Sequence, residues 1–270
     1  MSAEFTAADA ESAVAARVRA AAEQAGLGRS LASYSVPMPN WRRVIVWGIV
    51  VALMLAGIGY AALSGAEGVV WVVGGFFVLP IAGPFLVGLG SALRIRRKYR
   101  DARLELFEHG LVRAQQGQVR VVRYDTTQLF QRGGMSRRSG KAESTVRYDL
   151  LDVAGERVEL SHDYSFQQQW ASTIQQAILN IHYPRALAEL QAGGRLGFGE
   201  LWISASEVGD RKTAAPWSRV NSIDLAFGEI LAIGVEGRVR DLVNISLSKI
   251  PNYVVFRALA EHLRASAASR

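Results

Sequence analysis

The sequence predicts an α+β protein: a two-helix transmembrane hairpin, then two small units, each a bent antiparallel sheet closed by a C-terminal helix. Three observations carry this expectation. Between Arg43 and Arg94 the only charged residue is Glu67. After Arg100 the pattern changes to short alternating runs divided by glycine turns, which is the period of half-buried strands. That pattern then occurs a second time, and each occurrence ends on an amphipathic helical stretch.

The first segment, 1–40, is an alanine-rich cytoplasmic helix and a linker. Thr6 is placed to cap the helix, Asp9 lies near the positive end of its dipole, and Gly26 or Gly28 can end it. Its apolar face is mostly alanine with Val14 and Val18, so it reads as marginal and partly disordered. Ser35-Val-Pro-Met-Pro-Asn40 stops the helix.

The second segment, 41–94, is the hairpin. Val44–Ala66 and Gly68–Leu93 hold no charge, and each exceeds the ~20 residues that cross ~30 Å of hydrocarbon. Arg42 and Arg43 precede the first run, while Arg94, Arg96, Arg97, Lys98 and Arg100 follow the second. By the positive-inside rule both termini are expected in the cytoplasm, which makes a multi-pass protein of the cell membrane. Tyr60, Ser64, Ser91 and the indoles of Trp47 and Trp71 are the only polar groups of the runs, and none is ionisable at membrane depth, so anchoring is expected rather than transport. Pro80 and Pro84 would bend the second helix, and Gly74, Gly75, Gly83, Gly88 and Gly90 would allow close packing, including a homo-oligomer through that span.

The third segment, 95–192, reads as strands over Leu104–Arg113 (around Gly110), Gln118–Tyr124, Gln128–Arg132, Thr145–Asp152 and Arg157–His162. Gly133–Lys141 reads as a basic loop. A helix follows with Phe166, Trp170, Ile174, Ala177, Ile178 and Ile181 on one face and Ser165 as its cap. His182–Gly194 extends that helix or starts another. The fourth segment, 193–270, repeats the order. Leu201–Gly209 alternates and turns, Pro216–Ala226, Ile230–Val235 and Val239–Leu247 are strands, and Pro251 opens a helix with Val255, Phe256, Leu259 and Leu263 on one face. Leu104, Leu106 and Leu111 align with Leu201, Ile203 and Val208, and Tyr124-Asp-Thr-Thr127 aligns with Trp217-Ser-Arg-Val220, as two copies of one fold would.

Strands followed by one helix, with Pro-Trp-Ser-Arg-Val-Asn-Ser-Ile223 opening a middle strand, resemble the small bacterial pleckstrin-homology-like (PH-like) domain. Phe107–Val112, Tyr183–Leu190, Phe198–Leu201, Pro216–Ser218 and Ile250–Phe256 together resemble an uncharacterised actinobacterial membrane protein family, over nearly everything after the hairpin. That family has no established activity, so the resemblance implies a fold, with Trp170 and Phe256 as the aromatic plugs of the two sheets.

Composition excludes several chemistries. The absence of cysteine rules out disulfides and thiolate metal sites, and His109, His162, His182 and His262 show no metal-ligand spacing. Gly193–Gly199 is glycine-rich but lacks a phosphate-loop frame. Ser161-His162-Asp163 puts triad residue types next to one another, where neighbouring strand side chains diverge. No catalytic residue, metal or cofactor is expected, and the protein is read as not an enzyme. The net charge of +7 lies wholly after the apolar block, and an anionic neighbour fits it. In the resembled fold a basic loop between early strands contacts anionic headgroups. This marks Arg132, Arg137, Arg138 and Lys141, together with juxtamembrane Arg94, Arg96, Arg97, Lys98 and Arg100, as lipid-headgroup or polyanion contacts. Nucleic acid is not expected, because no basic face is interleaved with aromatics. The expected function is therefore a membrane-anchored scaffold or adaptor whose cytoplasmic PH-like units bind a protein partner or anionic inner-leaflet lipid. The alternative is a regulatory or pore-forming subunit of an oligomeric channel or transporter.

Overall fold

The computed structural model describes residues 2–38, 40–65, 79–99, 101–138 and 141–269. The chain divides into two compact units. One comprises Met1–Ser35, Arg103–Ala114 and Gln118–Arg270; the other comprises Val36–Ala102 and Gln115–Gly117.

The larger unit begins with helix α1 (Ser2–Gln24). Val14, Val18 and Ala22 recur every four residues and so share one face. That face is buried with Leu27 against Phe107, Val112 and Ala114, so the expectation of a marginal helix is corrected. Fully burying each valine or leucine of this contact contributes about 1.5–3 kcal/mol, which a face of alanines alone would not supply. Gly26 ends the helix with φ +64. Its N–H donates to Glu23 O at 3.1 Å and that of Leu27 to Ala22 O at 3.0 Å, the paired bonds that close a helix on a left-handed residue.

A meander of four antiparallel strands follows: β1 (Ser30–Ser35), β2 (Arg103–Phe107), β3 (Gly110–Gln115) and β4 (Gln118–Arg123), in that order. β1 was not foreseen; it pairs with β2 from Ser30↔Phe107 to Ser35↔Arg103. Glu105 is buried in this pair, where Ser30 Oγ (2.8 Å) and Arg103 Nε (3.1 Å) donate to it. A second meander of three strands is β5 (Leu129–Arg138), β6 (Lys141–Leu151) and β7 (Arg157–Leu160). Helix α4 (Gln167–Gln191) ends this first copy and runs on through Pro184. Trp170, Ile174 and Ile178 are buried, and Trp170 meets Tyr148 edge-to-face at 5.6 Å. Ser165 does not cap the helix. Its Oγ and N–H both donate to Ser35 O, which ties the helix start to the end of β1. Phe166 occupies the cap position instead, with φ +56.

The same sequence of elements then recurs. β8 (Leu196–Phe198), β9 (Leu201–Ile203), β10 (Glu207–Gly209) and β11 (Ala214–Pro216) form a four-stranded meander. β12 (Val220–Ala226), β13 (Ile230–Val235) and β14 (Val243–Ser246) form a three-stranded one, and helix α5 (Tyr253–Ala268) closes the copy. The aligned residues occupy equivalent places. Leu104 and Leu106 on β2 answer to Leu201 and Ile203 on β9, Leu111 on β3 to Val208 on β10, and all six are at most 1% exposed. Tyr124 and Trp217, each just past a fourth strand, are buried, and Phe256 packs edge-to-face on Phe198 at 5.4 Å. In the second copy the first two strands are joined by Gly199-Glu200 alone; in the first copy Val36–Ala102 intervenes at the same place.

Two backbone-level bonds join the copies. Leu129 N–H donates to Asn252 Oδ1 at 2.9 Å, and Asn252 N–H donates to Leu129 O at 2.8 Å. The asparagine thus continues the edge of β5 as a strand residue would.

The smaller unit holds helices α2 (Trp41–Leu63) and α3 (Leu79–Lys98). Gly48 faces Phe85 across the pair, close enough that a Cβ there would lie 3.4 Å from the ring. Among the described residues no helix is long and apolar enough to cross a membrane, which corrects the expected transmembrane hairpin. The multi-pass membrane localisation and the shared cytoplasmic side of both termini were derived from those spans and lose their basis with them. The expected turn at Ser64–Gly68 and the start of the expected second span lie partly outside the described residues. Ile45, Val46, Trp47, Ile49, Leu53 and Leu55 of α2 are each more than half exposed.

Candidate functional site

The stretch read as a basic loop is a β-hairpin. β5 pairs with β6 without a break from Leu129↔Leu150 to Arg138↔Lys141. β7 covers β6 only from Tyr148 to Leu151. Among the described residues, the seven rungs from Arg132↔Arg147 outward therefore have no third strand beside them. They form a two-stranded arm about 20 Å long at ~3.4 Å per residue. Over 132–147 the sequence holds Arg132, Arg137, Arg138, Lys141 and Arg147 against Glu143 alone, a net charge of +4. Residues 139 and 140, at the turn, lie outside the described residues.

The structure thus brings Arg132, Arg137, Arg138 and Lys141 onto one element but gives them different situations. Arg132 sits at the root of the arm, where its Nε forms a 2.8 Å ion pair with Asp149 Oδ2. Asp149 is 4% exposed and also lies 3.8 Å from Arg157. Arg132 therefore offsets a buried carboxylate, a structural task that competes with ligand binding. Arg137 pairs in register with Ala142, and Arg138 with Lys141, next to the turn. Arg94, Arg96, Arg97 and Lys98 occupy the end of α3, in the other compact unit. Lys98 Nζ lies 4.9 Å from the Tyr99 ring centre, while Arg100 is outside the described residues.

One buried carboxylate of the first copy serves its backbone. Asp152 accepts from Ala154 N–H (2.9 Å), Glu156 N–H (2.8 Å) and Arg120 Nη1 (3.1 Å), which fixes the turn between β6 and β7. Burial raises the pKa values of Tyr124 and Tyr148, keeping both phenols protonated. Asp125 is held below the ordinary carboxylate range, chiefly by the hydrogen bond from Arg123. Ser161 donates directly to Asp163 at 2.6 Å, and His162 Nε2 stands 3.9 Å from the same carboxylate. The serine–aspartate bond bypasses the imidazole, so these neighbours do not form a relay. Gly193 and Gly194 follow the end of α4, and the rest of the glycine-rich stretch is β8 and its turn.

Two features escaped the sequence reading. One is an open cleft of about 220 Å³ between α4, β8 and the start of α5, lined by His182, Arg185, Glu189, Phe198, Asn252 and Val255. His182 Nε2 is already engaged with Tyr124 O at 2.7 Å. No motif signals this cleft, because its walls come from both copies. The other is the left-handed backbone of Phe227, φ +53, in the β12–β13 turn that Gly228 itself marks in the sequence (φ +71). Glu229 N–H closes it onto Ala226 O at 3.2 Å. Asparagine is favoured where phenylalanine stands here, and the Phe-Gly dipeptide at a hairpin turn was the available signal.

A family model matches residues 10–269, over both copies and the intervening helices. The chain belongs to the DUF6585 family. It is a family of unknown function, so membership assigns this DUF6585 protein no activity. No curated protein matches it. The chain is similar to a solved structure described as "Structure of the Spt16D Pob3N heterodimer", at 15% identity over 53% of this chain and 84% of that one. The TM-score is 0.18, too low for that likeness to carry an argument.

Proposed function

We propose that this DUF6585 protein is a non-enzymatic binding protein, that its two copies are PH-like units, and that the β5–β6 arm docks on an anionic phospholipid surface. The order of a four-stranded meander, a three-stranded meander and one helix, occurring twice, supports the PH-like reading. The observation that carries the binding role is the arm itself. A two-stranded ribbon is at best marginally stable without a further strand or a helix beside it. Five rungs beyond Gly133↔Val146, with Arg137, Arg138 and Lys141 against Glu143, reach past the edge of β7, and such a projection has a use outside the fold; Arg132 and Arg147 at the root are paired with Asp149 and Glu159. Each basic group close to an anionic bilayer surface contributes on the order of 1 kcal/mol. The buried carboxylates Glu105 and Asp152 are tied to a strand pair and to a turn, which supports binding over catalysis. A pore-forming role needs two spans, which the described helices do not supply.

Vesicle flotation of the full chain tests this reading. Vesicles of phosphatidylcholine are compared with vesicles that also contain phosphatidylserine. Stronger flotation with the anionic lipid is expected, falling as salt is raised and falling again in the Arg137→Glu, Arg138→Glu, Lys141→Glu variant. Equal flotation with both lipids, or no loss in the triple variant, refutes the reading.

A further inference from the structure

Two phenylalanines stand in the left-handed backbone region with their rings in solvent. Phe166, at the start of α4, has φ +56 and is 67% exposed; Phe227, in the β12–β13 turn, has φ +53 and is 90% exposed. A bulky side chain is a true outlier in that region. Neither ring recovers the cost by burial. Strain that packing does not repay is a pointer to function.

Residues close in sequence to both, Gln167 and Glu229, touch one rung of the basic arm. Gly133 and Val146 are paired across β5 and β6. A Cβ at Gly133 would lie 2.5 Å from Glu229 Cβ, so the turn that carries Phe227 is seated against β5 at that rung. Gln167 Nε2 donates to Val146 O, so the helix start that carries Phe166 is fastened to β6 at the same rung. Paired strand residues are only about 5 Å apart. One turn from each copy thus straddles the root of the arm.

We infer that Phe166 and Phe227 are apolar anchors that enter the boundary between headgroups and acyl chains of the anionic phospholipid surface on which the arm lies. The inference rests on the reading of the arm given above and adds the residues that hold the protein there. Both rings are exposed, and a fluid bilayer accommodates them without a complementary pocket. The basic strands beside them supply the charge complement. Apolar rings beside Lys and Arg are the pairing that the bilayer interface favours.

The chain has no cysteine, so a single Phe227→Cys or Phe166→Cys carries one environment-sensitive dye. Val239→Cys is the control. Val239 is fully exposed in the β13–β14 connection, at the other end of β13 from Phe227. On phosphatidylserine-containing vesicles the dyes at 166 and 227 are expected to shift to the blue and to be quenched by bromine-labelled acyl chains. The dye at 239 is expected to do neither. In parallel, Phe227→Asn and Phe166→Asn are each expected to lower partitioning onto anionic vesicles about tenfold, with the salt dependence unchanged. Neither variant is expected to lower the melting temperature, because asparagine tolerates the left-handed region. Dyes at 166 and 227 that stay aqueous while the chain floats overturn the anchors and leave the arm standing. Flotation that ignores lipid charge removes both.

Discussion

Replacing Asn252 tests whether the two copies behave as one cooperative body. Leu129 is fully buried, and its N–H has Asn252 Oδ1 as its partner at 2.9 Å. Asn252→Gly removes that acceptor but tolerates φ +51, so its cost is that of a buried donor left unsatisfied, about 1–3 kcal/mol. Asn252→Ala adds a Cβ in the left-handed region, a further ~1–2 kcal/mol. The expected order of stability is wild type, then glycine, then alanine. The alanine variant is expected to lose roughly 2–5 kcal/mol, which for a chain of this size lowers the melting temperature by about 2–4 °C per kcal/mol. Asn252→Asp keeps an acceptor and is expected to fall between wild type and glycine. Urea denaturation followed by tryptophan fluorescence reads these differences. Because the two bonds bridge the copies, the alanine variant is also expected to broaden the transition or split it in two. Alanine and glycine variants that both unfold with the wild-type midpoint and slope would refute the proposed role of this asparagine.

Two further outcomes follow from the structure. At Asp210, burial alone would raise the carboxyl pKa, but the N–H groups of Lys212 and Thr213 and the Thr213 hydroxyl outweigh it and hold the pKa below its ordinary value. The stability this adds is complete above the unfolded value near 4 and is lost as pH falls through the lower folded value. Asp210→Ala is therefore expected to flatten the decline in melting temperature below about pH 4, measured by differential scanning fluorimetry. Separately, Leu53, Leu63, Leu86 and Val87 are 68%, 91%, 63% and 75% exposed, and large exposed apolar side chains favour association. The chain is expected to self-associate in detergent-free buffer, and Leu53→Glu with Val87→Glu to reduce this; light scattering with and without mild detergent is the measurement.

Much of the fold was legible because it depends on local periodicity. The paired core positions Leu104/Leu201, Leu106/Ile203 and Leu111/Val208 could be aligned before any strand was placed in space, and all are buried. Trp170 and Phe256 were expected at the helix–sheet contact and lie there. The first strand of each copy was not legible. β1 is Ser-Leu-Ala-Ser-Tyr-Ser, an edge strand with few buried residues, and β8 has only three residues. Their signal lies in the partner strand, which for β1 is far away in sequence. The transmembrane hairpin rested on a count of uncharged residues along the chain, and among the described residues no helix is long and apolar enough to cross a membrane. The basic loop was misread for a related reason: Gly133-Gly-Met-Ser has no alternating pattern, and its pairing is imposed by register carried outward from Leu129↔Leu150.

The recurring order of elements, the core-facing residues and the surplus of positive charge can be read along the chain, because each is a property of residue type and spacing. Only the folded chain puts the basic residues on a two-stranded arm and has Asn252 complete a strand of the first run of elements. It also brings Gln167 and Glu229, the near neighbours of Phe166 and Phe227, to a single rung. The reason is physical: strand pairing and turn packing join residues through space, and no local pattern encodes which distant partner will satisfy a given backbone group.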